Sequence, residues 1–221
     1  MKKDFFWVLL MLFCFTGAVT SCSEDSSDDD NEYENWQERN DAYFASIRAN
    51  ALDSIRQAKT LYGNSWTDHC NWRTYLSYSL DSTIANNSTD SIYVEILRKG
   101  TGSGCPLSTD SCRIYYRGRL IPSATYPEGN IFDHTGQFTT FDLIFNSKTA
   151  VPTLMRPTSA VKGFGTALQN MHIGDLWKVY IPYALGYSTS NTTTIPAYST
   201  LIFEIELTAY YRSGSNVPSW N

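Results

Sequence analysis

Apolar positions change their period twice along this chain. Between Trp36 and Tyr62 the residues Trp36, Tyr43, Phe44, Ile47, Ala51, Ile55, Ala58 and Tyr62 recur every three or four positions, with Arg, Glu, Asp and Gln between them. That spacing lays one apolar stripe along a long amphipathic helix. A stripe needs a partner, either the domain that follows or the same helix in a second copy as a homodimer seam, and packing within the chain is the favoured reading. Residues 63–90 are a polar connection that includes "WTDHCNWRTYLSYSL" and the loop "ANNSTD". Tyr75–Leu80 reads as a short strand. Beyond it the period drops to two: Ile92–Leu97, Cys112–Ile121, Leu176–Ile181 and Leu201–Tyr210 are bounded by Gly, Pro, Ser and Asn clusters, as strands are. Leu201, Phe203, Ile205 and Leu207 alternate with Ile202, Glu204, Glu206 and Thr208, the pattern of a half-buried antiparallel strand.

One helical segment interrupts this β pattern. Phe164, Ala167, Leu168 and Met171 fall at i, i+3, i+4 and i+7, so two turns present an apolar face, and Gly174 stops them. Gly163 and Gly165 open a G-x-G, but Leu168 occupies the third glycine position and no βαβ unit precedes it, so a dinucleotide cradle is excluded. The fold class that follows is α+β: a twisted antiparallel sheet against a short helix, preceded by an amphipathic helix. The expected organisation is a helical segment and connection over 36–89, the sheet domain over 90–211 and a tail over 212–221.

The N-terminal end adds a location. Lys2 and Lys3 precede an apolar run that continues to Val19, too short to cross a bilayer and readable as a signal peptide over residues 1–21. Val19, Thr20, Ser21 and Cys22 resemble a bacterial lipobox, which makes Cys22 the expected lipid attachment site and the cell envelope, at the outer membrane, the expected location. Residues 22–35 form an acidic tether: "SEDSSDDDNEYE" carries seven acids and no base. An acidic run after the lipidated cysteine fits display on the outer face, and a plain spacer explains the same residues. From Asn35 onward 15 Lys and Arg face 14 Asp and Glu, so there is no basic footprint for nucleic acid. Export permits disulfides, and Cys105 and Cys112 flank the turn-rich "PLSTDS", so a bond between them is expected; Cys112 also sits in phase with Ile114 and Tyr116 as an ordinary core residue would.

Four blocks, "RIYYRGRL", "GNIFD", "VKGFGTALQNMHIGDLWKVYIPYALGY" and "IPAYSTLIFEIEL", stand in the order and near the spacing of the FKBP-type peptidyl-prolyl isomerases, which the chain resembles from Tyr93 to Tyr210. The resemblance implies a sheet wrapped around the short helix, with an aromatic pocket between them for a proline ring. Carried over residue by residue, it makes Tyr116, Phe132 and Asp133 pocket positions, Val161 the donor of a backbone N–H to a substrate carbonyl, Phe164 the floor, and Tyr187, Ile195 and Phe203 the wall and rim. It implies proline-containing polypeptides as partners, tacrolimus-like macrolides as ligands, and no metal or cofactor. Phe164 stands where the family usually has tryptophan, Ser188 where glycine is usual, and Met155 where a wall phenylalanine is expected, with "FDLIFNSKTA" as an insertion beside that wall. Two functions are therefore carried forward: an isomerase that assists the folding of exported proteins at the envelope, or a catalytically weak chaperone or binding lipoprotein that kept the groove.

Overall fold

The computed structural model describes residues 32–83, 87–135, 148 and 150–220. The signal peptide, Cys22, most of the acidic tether and Phe141–Ser147 of the expected insertion lie outside the described residues. Met1–Glu34 is one unit and Asn35–Asn221 is another, and the following concerns the second.

The strands are β1 (Trp72–Leu76), β2 (Ser91–Arg98), β3 (Ser111–Arg119), β4 (Ile131–His134), β5 (Thr153–Met155), β6 (Leu176–Ile181) and β7 (Leu201–Tyr211), the longer ones carrying the alternating pattern. They form an antiparallel sheet in the order β1-β2-β6-β7-β3-β4, with β5 also pairing β3. β7, the last strand in sequence, lies between β6 and β3. Val94, Val179, Phe203 and Gly118 are cross-strand partners in one row, and Glu95, Lys178, Glu204 and Arg117 in the next. Adjacent rows point to opposite faces of the pleat, so the sheet has one apolar face and one mixed face.

Each face has its own helix. On the apolar side lies α3 (Lys162–Leu168), with Phe164, Ala167 and Leu168 buried. It approaches so closely that a Cβ on Gly163 would stand 2.4 Å from Ile181 Cγ2. Helix α1 (Trp36–Tyr62) covers part of the mixed face, with Phe44 edge-on to Tyr93 at 5.5 Å between ring centres. The stripe read from sequence buries Trp36, Phe44, Ala51, Ile55 and Ala58. Full burial of each large apolar side chain contributes about 1.5–3 kcal/mol. The buried part of the stripe therefore has a partner within the chain, while Tyr43 and Ile47 are half-buried and Tyr62 is exposed. Polar bonds fix the helix in place: Trp36 Nε1–H donates to Ser199 Oγ (2.8 Å), and fully buried Asn40 accepts the Thr200 N–H (2.7 Å). A 3₁₀ turn and the one-turn α2 (Trp66–His69) follow, where Cys70, Trp66 and Trp72 pack against Ile55 and Ala58.

Three expectations change. Residue 90 is not a boundary of the fold, because β1 pairs with β2 over Trp72–Leu76 and belongs to the same sheet. That strand also begins earlier than expected and ends at Leu76, where Ser77 turns the chain. The Cys105–Cys112 bond does not form: both cysteines are free, as is Cys70. Cys112 is fully buried on β3, while Leu107–Asp110 folds into a turn of its own, held by Asp110 accepting the Leu107 N–H (2.7 Å) and an Arg212 Nη1–H (2.5 Å). This carries Cys105 to His172, whose Nε2 is 3.8 Å from the sulfur.

Candidate active site

Where α3 meets the inner face of β3 and β7, three aromatic rings enclose a space. Phe164 on α3 and Phe203 on β7 are perpendicular at 4.9 Å, and Tyr116 on β3 stands 5.8 Å from Phe164 and 6.2 Å from Phe203. Edge-to-face contacts of this kind contribute about 0.5–1.5 kcal/mol beyond area burial and fix the ring planes. Gly118 permits the arrangement, since a Cβ there would lie 2.5 Å from Phe203 Cε1 and 2.7 Å from Phe132 Cε2. The result is an open cleft of about 340 Å³ lined by Tyr116, Asp133, Met155, Ser159, Ala160, Val161, Phe164, Tyr187 and Phe203. Two larger, shallower depressions run along α1, lined at Asn35–Asp41 and Leu52–Thr60 by that helix and its flank alone.

The polar groups of the cleft come from separate elements. Asp133 on β4 is exposed and accepts the Tyr116 hydroxyl proton in a bond of 2.8 Å. Burial first, then this bond and the carboxylate charge, raise the Tyr116 pKa well above the ordinary tyrosine range, so the hydroxyl remains a donor at any physiological pH. Val161 precedes α3 with extended backbone angles, and its C=O accepts the first helical bond from Gly165 N–H (3.0 Å). Its own N–H has no acceptor among the described residues. The Tyr187 side chain is 40% exposed at the mouth, and its hydroxyl makes no hydrogen bond among the described residues. Two donors are thus uncommitted beside an apolar floor, and one carboxylate is already engaged.

Six of the eight expected site residues line this cleft. Phe132 stands behind it, edge-on to Phe203 at 5.4 Å. Ile195 is buried in the loop before β7, where its N–H and C=O both bond to Thr192, and it is not among the lining residues. Met155 does form wall, as the aligned position suggested. Ser159 and Ala160 were missed; they come from the 3₁₀ turn Pro157–Ser159 and its end, a short irregular stretch whose only sequence sign is Pro157. Ser188 has φ +57°, the left-handed region that favours glycine, which gives a physical reason for the glycine expected there.

A family model described as FKBP-type peptidyl-prolyl cis-trans isomerase matches residues 103–208, the span that supplies every residue of the cleft. This is a domain of the FKBP-type isomerase family. The FKBP domain has named relatives. A Trypanosoma cruzi protein named macrophage infectivity potentiator is 35% identical over 112 residues, covering 50% of this chain and 48% of that protein. The Escherichia coli K12 FKBP-type 22 kDa peptidyl-prolyl cis-trans isomerase is 27% identical over 134 residues, 60% of this chain and 56% of its own. An outer membrane protein MIP of Legionella longbeachae is 30% identical over 114 residues, 51% of this chain and 41% of its own. The chain spans about half the length of the curated relatives it matches. Helices α1 and α2 and strands β1 and β2 precede the matched span.

Proposed function

We propose that this chain catalyses cis–trans isomerisation of X-Pro bonds in polypeptides at the cell envelope. The observation that carries the proposal is the cleft itself: a floor of Tyr116, Phe164 and Phe203 sized for a small ring, with two unspent donors, Val161 N–H and Tyr187 O–H, at its edge. The uncatalysed barrier is about 18–20 kcal/mol because amide resonance gives the C–N bond double-bond character. No bond need break. As the amide twists, its carbonyl loses polarity, so a dry aromatic enclosure favours the twisted state over either planar one. In this reading the aromatic floor holds the proline ring, Val161 N–H and Tyr187 O–H hold neighbouring carbonyls, and the Tyr116–Asp133 pair orients the site electrostatically. Tacrolimus-like macrolides would compete for the same floor.

The envelope location is supported by the signal-peptide pattern, the lipobox-like residues before Cys22 and the name of the Legionella longbeachae relative, an outer membrane protein. Exported chains fold slowly at prolyl steps, which gives such an isomerase substrates.

A protease-coupled cis–trans assay on the full chain tests the activity, with a macrolide as competitor. Acceleration over background on peptides with several residues before proline is expected. Folded protein that binds the macrolide without accelerating the reaction would leave the chaperone or binding role instead. Replacing Cys22 with Ala should move the protein from membranes to the soluble fraction, and unchanged sedimentation with the envelope would remove the anchor.

A further inference from the structure

Helix α3 is only seven residues long and has no side-chain cap at its N-terminus, yet the placement of Phe164 and of the preceding Val161 depends on it. Helices this short are not stable alone in water and take their position from what they touch. Its apolar side rests on the sheet. Its polar side is held by a segment far away in sequence: after β1 the chain turns at Ser77, and the Tyr78 N–H donates to Thr166 Oγ1 (3.3 Å) across 88 positions. Thr166, 1% exposed, itself donates to Lys162 C=O (2.9 Å) and lies 3.5 Å from Ser77 Oγ. At the other end of the helix the Tyr78 hydroxyl donates to Asn170 Oδ1 (3.0 Å), and Asn170 Nδ2–H donates to Thr166 C=O (2.8 Å). Ser77 N–H is anchored in turn on Asp90 C=O (2.9 Å), beside the start of β2.

We propose that Ser77 and Tyr78, which lie before the family-matched residues 103–208, form a clamp that positions α3 for catalysis, so that the working isomerase of this chain begins at β1. They are positioning residues: neither lines the cleft. Tyr78 is 60% exposed, so its ring adds little apolar burial and its role rests on the two bonds at its ends. The kinetic part of the proposal rests on the isomerase reading above; the mechanical part does not.

The test uses the full chain and three variants. Tyr78→Phe removes only the hydroxyl bond to Asn170. Thr166→Val removes the acceptor of the Tyr78 N–H, together with the donor to Lys162 C=O, at nearly constant volume, and Thr166→Ser restores both. Loss of one neutral hydrogen bond corresponds to about a two- to twelvefold effect. Tyr78→Phe and Thr166→Val should therefore speed amide exchange at Gly165 and Gln169 in α3 by that factor, leave Leu207 in β7 unchanged, and lower kcat/KM in step, while Thr166→Ser behaves as wild type. Faster exchange throughout the chain, or faster exchange in α3 with unchanged kcat/KM, would overturn the clamp as a positioning device. If the wild-type chain shows no isomerase activity, the functional reading fails, and exchange alone decides the clamp: loss of protection confined to α3 supports it, and unchanged protection overturns it.

Discussion

Gly118→Ala is the sharpest probe of how the cleft is built. The new methyl carbon would stand 2.5 Å from Phe203 Cε1 and 2.7 Å from two atoms of the Phe132 ring. Ordinary carbon contacts are about 3.5–4.0 Å, so each ring must retreat by roughly 1 Å. Phe203 has little free space to use, being packed edge-on to Phe164 at 4.9 Å and 5% exposed, and half-buried Phe132 is packed edge-on to Phe203. Overpacking of this kind costs about 1–3 kcal/mol. In a unit of this size each kcal/mol lowers the melting temperature by about 2–4 °C, so a central value of about 2 kcal/mol predicts a fall near 6 °C. Of the rings that move, Phe203 lines the cleft and Phe132 supports it from behind, and a displacement of about 1 Å at a reacting site can cost up to a hundredfold. We therefore expect kcat/KM for an X-Pro peptide to fall by about tenfold or more. Thermal unfolding by circular dichroism and the protease-coupled assay read the two effects. Shortening Phe203 to Leu in the Gly118→Ala background should recover part of the stability and none of the activity. A Gly118→Ala protein that melts within a degree of wild type and retains its kcat/KM would refute the packing of Phe132 and Phe203 across this glycine.

Ser188→Gly should stabilise the fold by about 0.5–1 kcal/mol, because it relieves a left-handed backbone at an exposed serine; a loss of stability on thermal unfolding would contradict the strain. Tyr187→Phe and Asp133→Ala each remove a polar group with little apolar burial, and each should lower kcat/KM about two- to twelvefold without a matching fall in melting temperature. Stability should decline in alkali. Burial foremost holds the Tyr75 pKa at about 12 and raises those of Tyr116 and Tyr180, so the folded state keeps protons that the unfolded chain releases near pH 10. Their contribution is therefore full below about pH 10 and shrinks as pH rises from there towards the folded values, which urea melts across pH 8–12 would follow, with a flat profile refuting it. In the native chain Cys105 should react with a thiol reagent before fully buried Cys112 and nearly buried Cys70, and equal reactivity of all three would contradict the described burial.

The long elements were legible because their burial is periodic. α1 appears at Trp36–Tyr62 as its stripe required, and β6 at Leu176–Ile181 as its alternation required, each repeating the pattern often enough to exclude the other period. β4 and β5 have four and three residues, too few for an alternation to register, and they are defined by pairing with β3 rather than by their own composition. The same limit hid Ser159 and Ala160. The aromatic lining of the cleft was legible only through the resemblance, since Phe164 and Phe203 alone would pass for core. Ile195 lies outside the lining for the converse reason: its residue type suits a wall, but a turn with Thr192, held by Ile195 N–H and C=O, buries it instead. The cysteine pair failed because sequence proximity does not give direction, and Cys112 faces the core while Cys105 leaves towards His172.

The position of β7 bears on how the chain is made. Strands β3 and β6 flank it in the sheet, yet both emerge from the ribosome, or from an export channel, before it does. The bonds that seat α1 likewise wait for Ser199 and Thr200, more than 150 residues later. Until the residues from Ser199 onward arrive, two inner strands present unpaired edges and the long helix lacks its polar anchor, a state open to mispairing and to proteases. Closing so late on contacts so distant in sequence makes assembly slow relative to synthesis. Truncation just before Leu201 should therefore yield an aggregating chain rather than a smaller folded one.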